Sequence, residues 1–513
     1  MPRLADDGGQ ANGRFWLPES GGAALPGRLN VSGRWPRVEI LGELTPSMTL
    51  VSADVSSATF VPTPLGAEQD LVVHGQLLGG YGQVTLVEAR TRSRRSDLFG
   101  SLAEQVIEGR YALLGGLVGS TAHRFDVARV RLHNLDQWVR LPGLSVTATE
   151  DFHELQVDYK APESVKVAVP GLDAELEFEA SWSFPNPTLS GATITRQTWL
   201  VWRVPAGQTV DGILTDVLRP LSALLTLLFH EDCPPFELRV HDPVADRWSS
   251  VYGPALGAVT TTAPGVPLLF LEEFGSAALA SWFERFPDLS PLPQLIAGAV
   301  TAPDRTVQNQ LLELATAAEG LHRRLHPDQR RYPQQQVDEG SRLLTALGAD
   351  EGLGRAVGAL VQERLQQDGA DVARPDARLS PEIATMLGQA LTQYFWEPSY
   401  PERLAALLQD VNQAAPGVAG QPNRWKHAVV DARNGFAHSL KKDPAEDDIQ
   451  AWHVLAQSLR WLLTARLLLD VGVVAATLAE AYERYDAYSN FLRSARKVLP
   501  WVYEPQSSDD AAG

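Results

Sequence analysis

The most regular pattern along the chain has a period of two. From Asp173 to Phe184, the positions Ala174, Leu176, Phe178, Ala180, Trp182 and Phe184 alternate with Glu175, Glu177, Glu179, Ser181 and Ser183. Successive side chains of a strand point to opposite faces, so one face is expected in a core and the other in water, as in an antiparallel sheet. Further runs at Arg37–Leu44, Leu71–Leu78, Gln83–Ala89, Arg124–Leu132, Ser164–Val169 and Thr193–Val204 are bounded by Gly, Pro and Asn and read as strands. A β-sandwich or barrel filling residues 1–205 is the natural container.

The period then changes. Ile213, Val217, Leu221, Leu224, Leu225 and Leu228 recur as one buried face of a helix over Val210–Phe229. Strands return at Phe236–His241 and Pro267–Leu271, with a helix at Ala277–Phe286, so residues 206–295 read as a small α/β annex. Beyond Pro291, Pro293 and Pro303 the strand patterns stop, and a boundary falls near residue 295. Helices are expected at Arg305–Leu325, Gly340–Leu347, Leu353–Gln367, Pro381–Phe395, Pro401–Asn412, Asn423–Leu440, Pro444–Leu469 and Ala475–Lys497. Ser380-Pro381 and Asp443-Pro444-Ala445-Glu446 supply start signals. The fold class is therefore α+β multidomain, with a β-rich N-terminal region and an all-α antiparallel bundle over residues 296–503. Residues 504–513 are expected to be a disordered tail.

Composition narrows the classes of function. With 513 residues, 44% of them hydrophobic, the chain can bury more than one core. A formal charge of −18 excludes a general nucleic-acid coat, so any RNA contact must come from local basic patches. The single cysteine, Cys233, excludes an intrachain disulfide framework and a Cys-based zinc site, and suits a reducing compartment. Neither a signal core nor an uninterrupted membrane span is visible, and the expectation is a cytoplasmic protein with no membrane partner.

Chemistry concentrates in Asn423–Lys442, NRWKHAVVDARNGFAHSLKK. Wound as a helix, it places Val429, Ala432, Phe436 and Leu440 on a core stripe. Asn434 and His438 lie one turn apart on the other side, with Arg433 at the stripe's edge and Arg424, Lys426, Lys441 and Lys442 flanking as an RNA-binding field. A guanidinium can hold two phosphate oxygens and stabilise a pentavalent transition state while an imidazole moves protons near neutral pH, with no metal and no cofactor. If the attacking group is the ribose 2′-hydroxyl, only RNA reacts, leaving a 2′,3′-cyclic phosphate and a 5′-hydroxyl. Positions five apart differ by about 140° around a helix, so Arg433 and His438 do not share a face; a two-fold dimer would let two copies meet on one phosphate. The bland alternative is that Arg433 caps a carbonyl, Asn434 marks a helix start and His438 is merely exposed.

Arg433-Asn434-Gly435-Phe436-Ala437-His438 resembles the R-x4-H signature of HEPN domains, including the polar residue directly after the Arg, and it lies in an all-helical C-terminal segment as theirs does. The N-terminal half is similar to the β-rich region of ApeA-type defence proteins through Phe15-Trp16-Leu17-Pro18, Pro26-Gly27-Arg28-Leu29 and Leu132-His133-Asn134-Leu135-Asp136-Gln137-Trp138. The resemblance implies a HEPN-type helical bundle acting as a metal-independent RNase. It would dimerise through that bundle and protect bacteria against phage by cutting RNA, tRNA among the candidates, with the N-terminal half sensing infection.

Other clusters weigh less. Arg90, Arg92, Arg94 and Arg95 read as a basic loop that faces water. The Trp residues at 16, 35, 138, 182, 199 and 202 read as core or cross-strand pairs rather than a sugar groove. His230-Glu231-Asp232-Cys233, followed by two prolines, reads as a helix stop rather than a metal site. Glu319, His322 and His326 form a single E-x-x-H where a dimetal bundle needs two, so a structural or supporting role is expected; His427 is a weak accessory to His438. The competing function is a non-catalytic dimerisation and sensing scaffold with a ligand-binding β domain, and a third is a carbohydrate-binding sandwich joined to helices.

Overall fold

The computed structural model describes residues 8–331, 397–438 and 446–504, apart from short stretches at 19–23, 47, 55–56, 67–70, 97–102, 151–154, 185–192, 258–264 and 302–304, together with Leu4 and a few positions between 332 and 342. The expected helices within 340–395, both start signals before them and before Pro444, and the tail beyond 504 lie outside the described residues. The chain forms two compact units, Met1–Pro303 with Leu468–Ala481, and Asp304–Leu467 with Tyr482–Gly513.

The first unit opens with β1 (Gln10–Trp16), β2 (Leu25–Asn30), β3 (Arg37–Leu41), the hairpin of β4 (Met48–Asp54) and β5 (Ser57–Pro62), then β6 (Leu71–Leu77) and the long β7 (Gly82–Ser96). After β8 (Ala103–Glu108), β9 (Tyr111–Leu114) and β10 (Phe125–Leu132) come a second hairpin, β11 (Leu144–Ala148) and β12 (Leu155–Tyr159), and then β13 (Val165–Val169), β14 (Ala174–Ser183) and β15 (Thr195–Gln208). β16 (Pro235–Asp242) and β17 (Arg247–Tyr252) follow a helix.

One strand organises this sheet. Along Gly82–Ala89, β7 pairs with β6, while its other edge is given first to β9, through Val84–Val87, and then to β8, through Arg90–Ser96. Because β8 also pairs with β3, the ring β7-β6-β1-β2-β3-β8 closes on itself as a barrel. β9 carries the same sheet onward as β9-β17-β16-β10-β15-β14-β13. The partner change coincides with a break in the β6–β7 register and with Glu88 in the left-handed region at φ 48°, a bulge that bends the strand. The expected sandwich or barrel is thus a barrel continuous with a second sheet. Arg90, Arg92, Arg94 and Arg95 sit in the ladder of β7 rather than in a loop, with Arg90 and Arg92 facing Glu108 on β8.

Inside the barrel, Phe15, Leu29, Val38, Val73, Val84, Leu86 and Ile107 are buried together. Phe15 on β1 lies opposite Gly75 on β6, and a Cβ added to Gly75 would stand 2.6 Å from the ring; one added to Gly27 on β2 would stand 3.0 Å from its other edge. The ring covers both glycines, which gives a packing reason for Phe15 and Gly27 in the two N-terminal motifs. The third motif also has a structural basis. Asn134 takes φ 63° to start α1 (Leu135–Val139), Asp136 Oδ1 accepts from the Thr198 amide at 2.7 Å, and buried Trp138 meets Phe178 and Phe274 edge-on.

α2 (Val210–Phe229) is long and apolar enough to cross a membrane by length and composition, and 72% of that stretch is buried in the unit. Its turn at Leu214–Leu218 is wound as a π-helix. The predicted strand at Pro267–Leu271 is not one: the segment is irregular and leads into α3 (Leu271–Phe274), followed by α4 (Ser276–Leu289) and α5 (Leu292–Thr301). On β14 the alternation holds at Leu176 and Phe178 but fails at its end, where Trp182 and Phe184 are exposed. Glu177 is drawn in by Ser164 and Arg203, whose hydrogen bonds hold its carboxyl below the usual range.

The second unit contains α6 (Val307–Leu325), α7 (Tyr400–Val411), α8 (Pro422–His438) and α9 (Glu446–Asp470), of which the part to Leu467 belongs here. The expected single helix at Ala475–Lys497 is instead α10 (Ala475–Arg484) and α11 (Asp486–Val498), followed by α12 (Pro500–Tyr503). Tyr485 is extended between them, and the break lets Tyr482, Tyr485 and Tyr488 all pack their rings edge-on against Trp461. Stacked edge contacts of this kind are favoured beyond the area they bury.

Gly75→Ala should lower the midpoint of thermal unfolding, because the new methyl meets the Phe15 ring and Val84 in a filled core, an overpacking cost of about 1–3 kcal/mol. Circular dichroism melts beside Gly119→Ala, whose Cβ would meet no atom within 4 Å and whose φ is not positive, check whether packing is the cause.

Candidate active site on the helical unit

α8 is anchored by its first turns. Pro422 can start a helix because its missing N–H has no intrahelical partner to lose, and the Trp425 amide bonds back to Gln421 at 2.9 Å. Trp425 and Val429 are fully buried one turn apart, and Trp425 Nε1 donates to Ser458 Oγ on α9. The buried face therefore begins at Trp425, ahead of the stripe read from the sequence; Val429 and Ala432 continue it, and the side chains of Phe436 and Leu440 lie outside the described residues.

Arg433 leaves this helix toward α6 and α7. Its Nη2 donates to Glu319 Oε2 at 3.1 Å, and its guanidinium carbon stands 4.5 Å from the centre of the Tyr400 ring. The side chain remains 31% exposed, so the group is oriented without being closed off. A half-exposed ion pair and a cation–π contact are each worth about 1 kcal/mol or less. They set direction more than they lock position. Ser399 and Glu402 form a capping box that fixes the start of α7, and so fixes Tyr400 beside Arg433. Burial pushes the Tyr400 phenol well above its ordinary range against the opposing pull of Arg433.

Glu319 is the first link of a longer array. Its Oε1 accepts from Arg323 at 3.2 Å, Arg323 reaches Glu397 at 2.9 Å, and Glu397 also holds Arg403 at 2.7 Å. Arg403 is almost wholly buried, with Nε donating to the Pro398 carbonyl and Nη1 lying 3.5 Å from His322 Nδ1. The His322 and His326 rings lie 4.9 Å apart at a tilt of 41°, and Asp410 lies 3.5 Å from His326 and 3.0 Å from Arg466. Burial, with His326 and Arg403 adding to it, pushes His322 down to about 4.

The other candidates are less gathered. Asn434 is exposed next to Arg433, and His427 is exposed two residues after Trp425. Arg424 is already engaged, donating to the Trp501 carbonyl at 2.6 Å, while Lys426 is half-buried. α8 runs as far as His438, but the His438 side chain, Lys441 and Lys442 lie outside the described residues. A continuous helix through both positions keeps Arg433 and His438 about 140° apart in direction. Sequence reading singled out Glu319 and His322 only as an incomplete metal motif and missed Arg323, Glu397, Tyr400 and Arg403; no local pattern marks partners 114 residues away in the chain. Among the described residues no three His, Cys, Asp or Glu side chains are grouped to hold a metal ion. At His230-Glu231-Asp232-Cys233 the thiol is buried and pushed up to about 12, with Asn134 donating to its sulfur.

A barrel-containing strand-rich unit ahead of a helical unit that displays Arg433 on α8 is the organisation of a HEPN-based defence protein. Residues 10–275, over half of the chain, match the model for ApeA N-terminal domain 1, and residues 312–477 match the model for Apea-like HEPN. The chain belongs to the ApeA-like family, with a C-terminal HEPN domain of a kind that is typically nuclease-like. No curated protein and no solved structure matches it.

Acid should expose the role of His322. The unfolded chain takes up this proton near 6.5 and the folded chain only near 4, so stability that is complete above about pH 6.5 is lost as pH falls toward 4, by about 3 kcal/mol in total. Denaturant titrations from pH 7.5 to 4 should therefore show a shallower acid decline in His322→Gln than in the wild type; equal slopes would exclude this origin.

Proposed function

We propose that the protein is a metal-independent endoribonuclease of bacterial anti-phage defence of the abortive-infection type, acting in the cytoplasm as a homodimer through its helical domain, with the N-terminal half as its sensor. Arg433 holds the scissile phosphate and offsets charge in the transition state, His438 transfers protons as general acid or base, and Asn434 orients one of them. Lys426, Lys441 and Lys442, with what Arg424 has left to offer, supply positive charge for the RNA, tRNA being one candidate. The observation that carries this reading is the posture of Arg433: in an Apea-like HEPN domain its guanidinium is aimed by Glu319 and Tyr400 yet still reaches solvent. The angular separation on α8 favours a site completed by a second copy, with His438 of one subunit and Arg433 of the other converging on one linkage.

A second reading, a non-catalytic dimerisation and sensing scaffold, is favoured by the same ion pair, since an Arg already engaged by Glu319 can serve structure alone. Cleavage separates the two. Purified wild type should cut RNA in EDTA, leave 2′,3′-cyclic phosphate and 5′-hydroxyl ends, and spare DNA of the same sequence. His438→Ala and Arg433→Ala should keep the fold and the dimer while losing at least about 100-fold in rate, the usual scale for an acid–base group. Unchanged cleavage in His438→Ala, or activity abolished by chelation alone, would remove the mechanism. Induced expression that slows growth only when Arg433 and His438 are intact would speak against the scaffold.

A further inference from the structure

A concavity lies wholly within the first unit. Its volume is about 510 Å³, within the range of small-molecule sites, and it forms where the turn from β2 to β3 and the turn from β8 to β9 approach α2 and α5. Arg34, Trp35, Arg110, Tyr111, Arg219 and Asp232 supply its charged and aromatic lining. With Arg110 answered by Glu88 and Asp211, the cations Arg34 and Arg219 face the one carboxylate of Asp232, in a chain whose overall charge is −18. That local reversal of sign is what an anion would recognise.

The three arginines are not equivalent. Arg110 is neutralised, at 2.9 Å from Glu88 Oε2 and 2.8 Å from Asp211 Oδ1, and lies over the Tyr111 ring. The Tyr111 hydroxyl donates to the same Asp211 at 2.7 Å, so this wall is fixed by its own contacts. Arg34 and Arg219 are exposed, and among the described residues neither is paired with a carboxylate. Arg34 has only the face of Trp35, its guanidinium carbon 5.7 Å from the ring centre. Leu214 and Leu218 line the cavity from the π-wound turn of α2, a departure from regular helix that recurs at functional sites.

We propose that this cavity binds a mononucleotide-sized phosphate ester, with Arg34 and Arg219 taking the phosphate and Trp35 the flat ring. A planar guanidinium holds phosphate oxygens in pairs, and an indole beside it offers a stacking face that accepts any base. Both demands, an anion and a ring held together, are met by one ligand of this size and by neither half of it.

Gly298 makes the test clean. It lines the cavity from α5, and a Cβ built on it meets no atom within 4 Å, so a large side chain there would project into open space without disturbing the helix. The full chain is titrated with AMP, with adenosine and with inorganic phosphate, reading heat by calorimetry and the thermal midpoint in parallel. AMP should bind and raise the midpoint, with each half binding at least tenfold more weakly. Gly298→Phe and the double variant Arg34→Ala/Arg219→Ala should each weaken AMP at least tenfold, while Arg433→Ala should bind it as the wild type does. Absence of AMP binding, equal binding of phosphate alone, or full binding to Gly298→Phe would each overturn the assignment.

Discussion

Arginine placed against the interior of a helical bundle must be answered by a carboxylate, and in the second unit that requirement sets the position of the candidate catalytic group. Arg403 is buried and is met by Glu397; Glu397 also takes Arg323; Arg323 shares Glu319 with Arg433. The guanidinium displayed on α8 is thus the outer member of an alternating row whose inner end is sealed beside a neutral His322. Removing Glu397, the partner of buried Arg403, leaves a buried charge without an answer, which costs far more than the small net value of the exposed pairs along the row. The row therefore fixes where Arg433 points even though its own two contacts are weak.

That arrangement also sets a condition on catalysis. Glu319 and an incoming phosphate are rivals for the same Nη2, so phosphate binding must either displace the carboxylate or use the remaining face of the guanidinium over Tyr400. The half-exposed state of the side chain leaves the second route open.

Much of this architecture could be read from the chain, and the failures have physical reasons. Period-two runs mark β3, β6, β10, β13, β14, β15 and β16, and the period of 3.6 marks α2 and α6 through α9; β3 and α6 bury mainly one face, whereas Thr198–Trp202 of β15 and most of α2 are buried on every side. β1, β2 and β8 escape such a reading because each is short and buries a single large apolar side chain, Phe15, Leu29 and Ile107, with Ala11 and Gly13 or Gln105 at the other inward positions. β7 was cut short at Ala89 because arginines followed, although a ladder opposite Glu108 suits them. The helix expected across Ala475–Lys497 hid its break because Tyr485 is as good a helix residue as its neighbours; only the ring of Trp461 asks for the turn. At the site, the R-x4-H spacing was visible and the face of α8 nearly so, but Glu319, Glu397 and Arg403 meet through tertiary packing that no local window contains.

The bulged strand β7 has a mechanical consequence for the first unit. Since one backbone supplies hydrogen bonds to the barrel and to the sheet that continues from it, no hinge can open between them without breaking a ladder. Arg110 sits in the turn between β8 and β9, the two strands that divide the edge of β7, and its amide bonds to the Val87 carbonyl at 3.0 Å. The wall it contributes to the neighbouring cavity is accordingly part of a stiff frame. A molecule entering that cavity would meet this wall preformed, and adaptation would fall to the loops that carry Arg34 and Trp35.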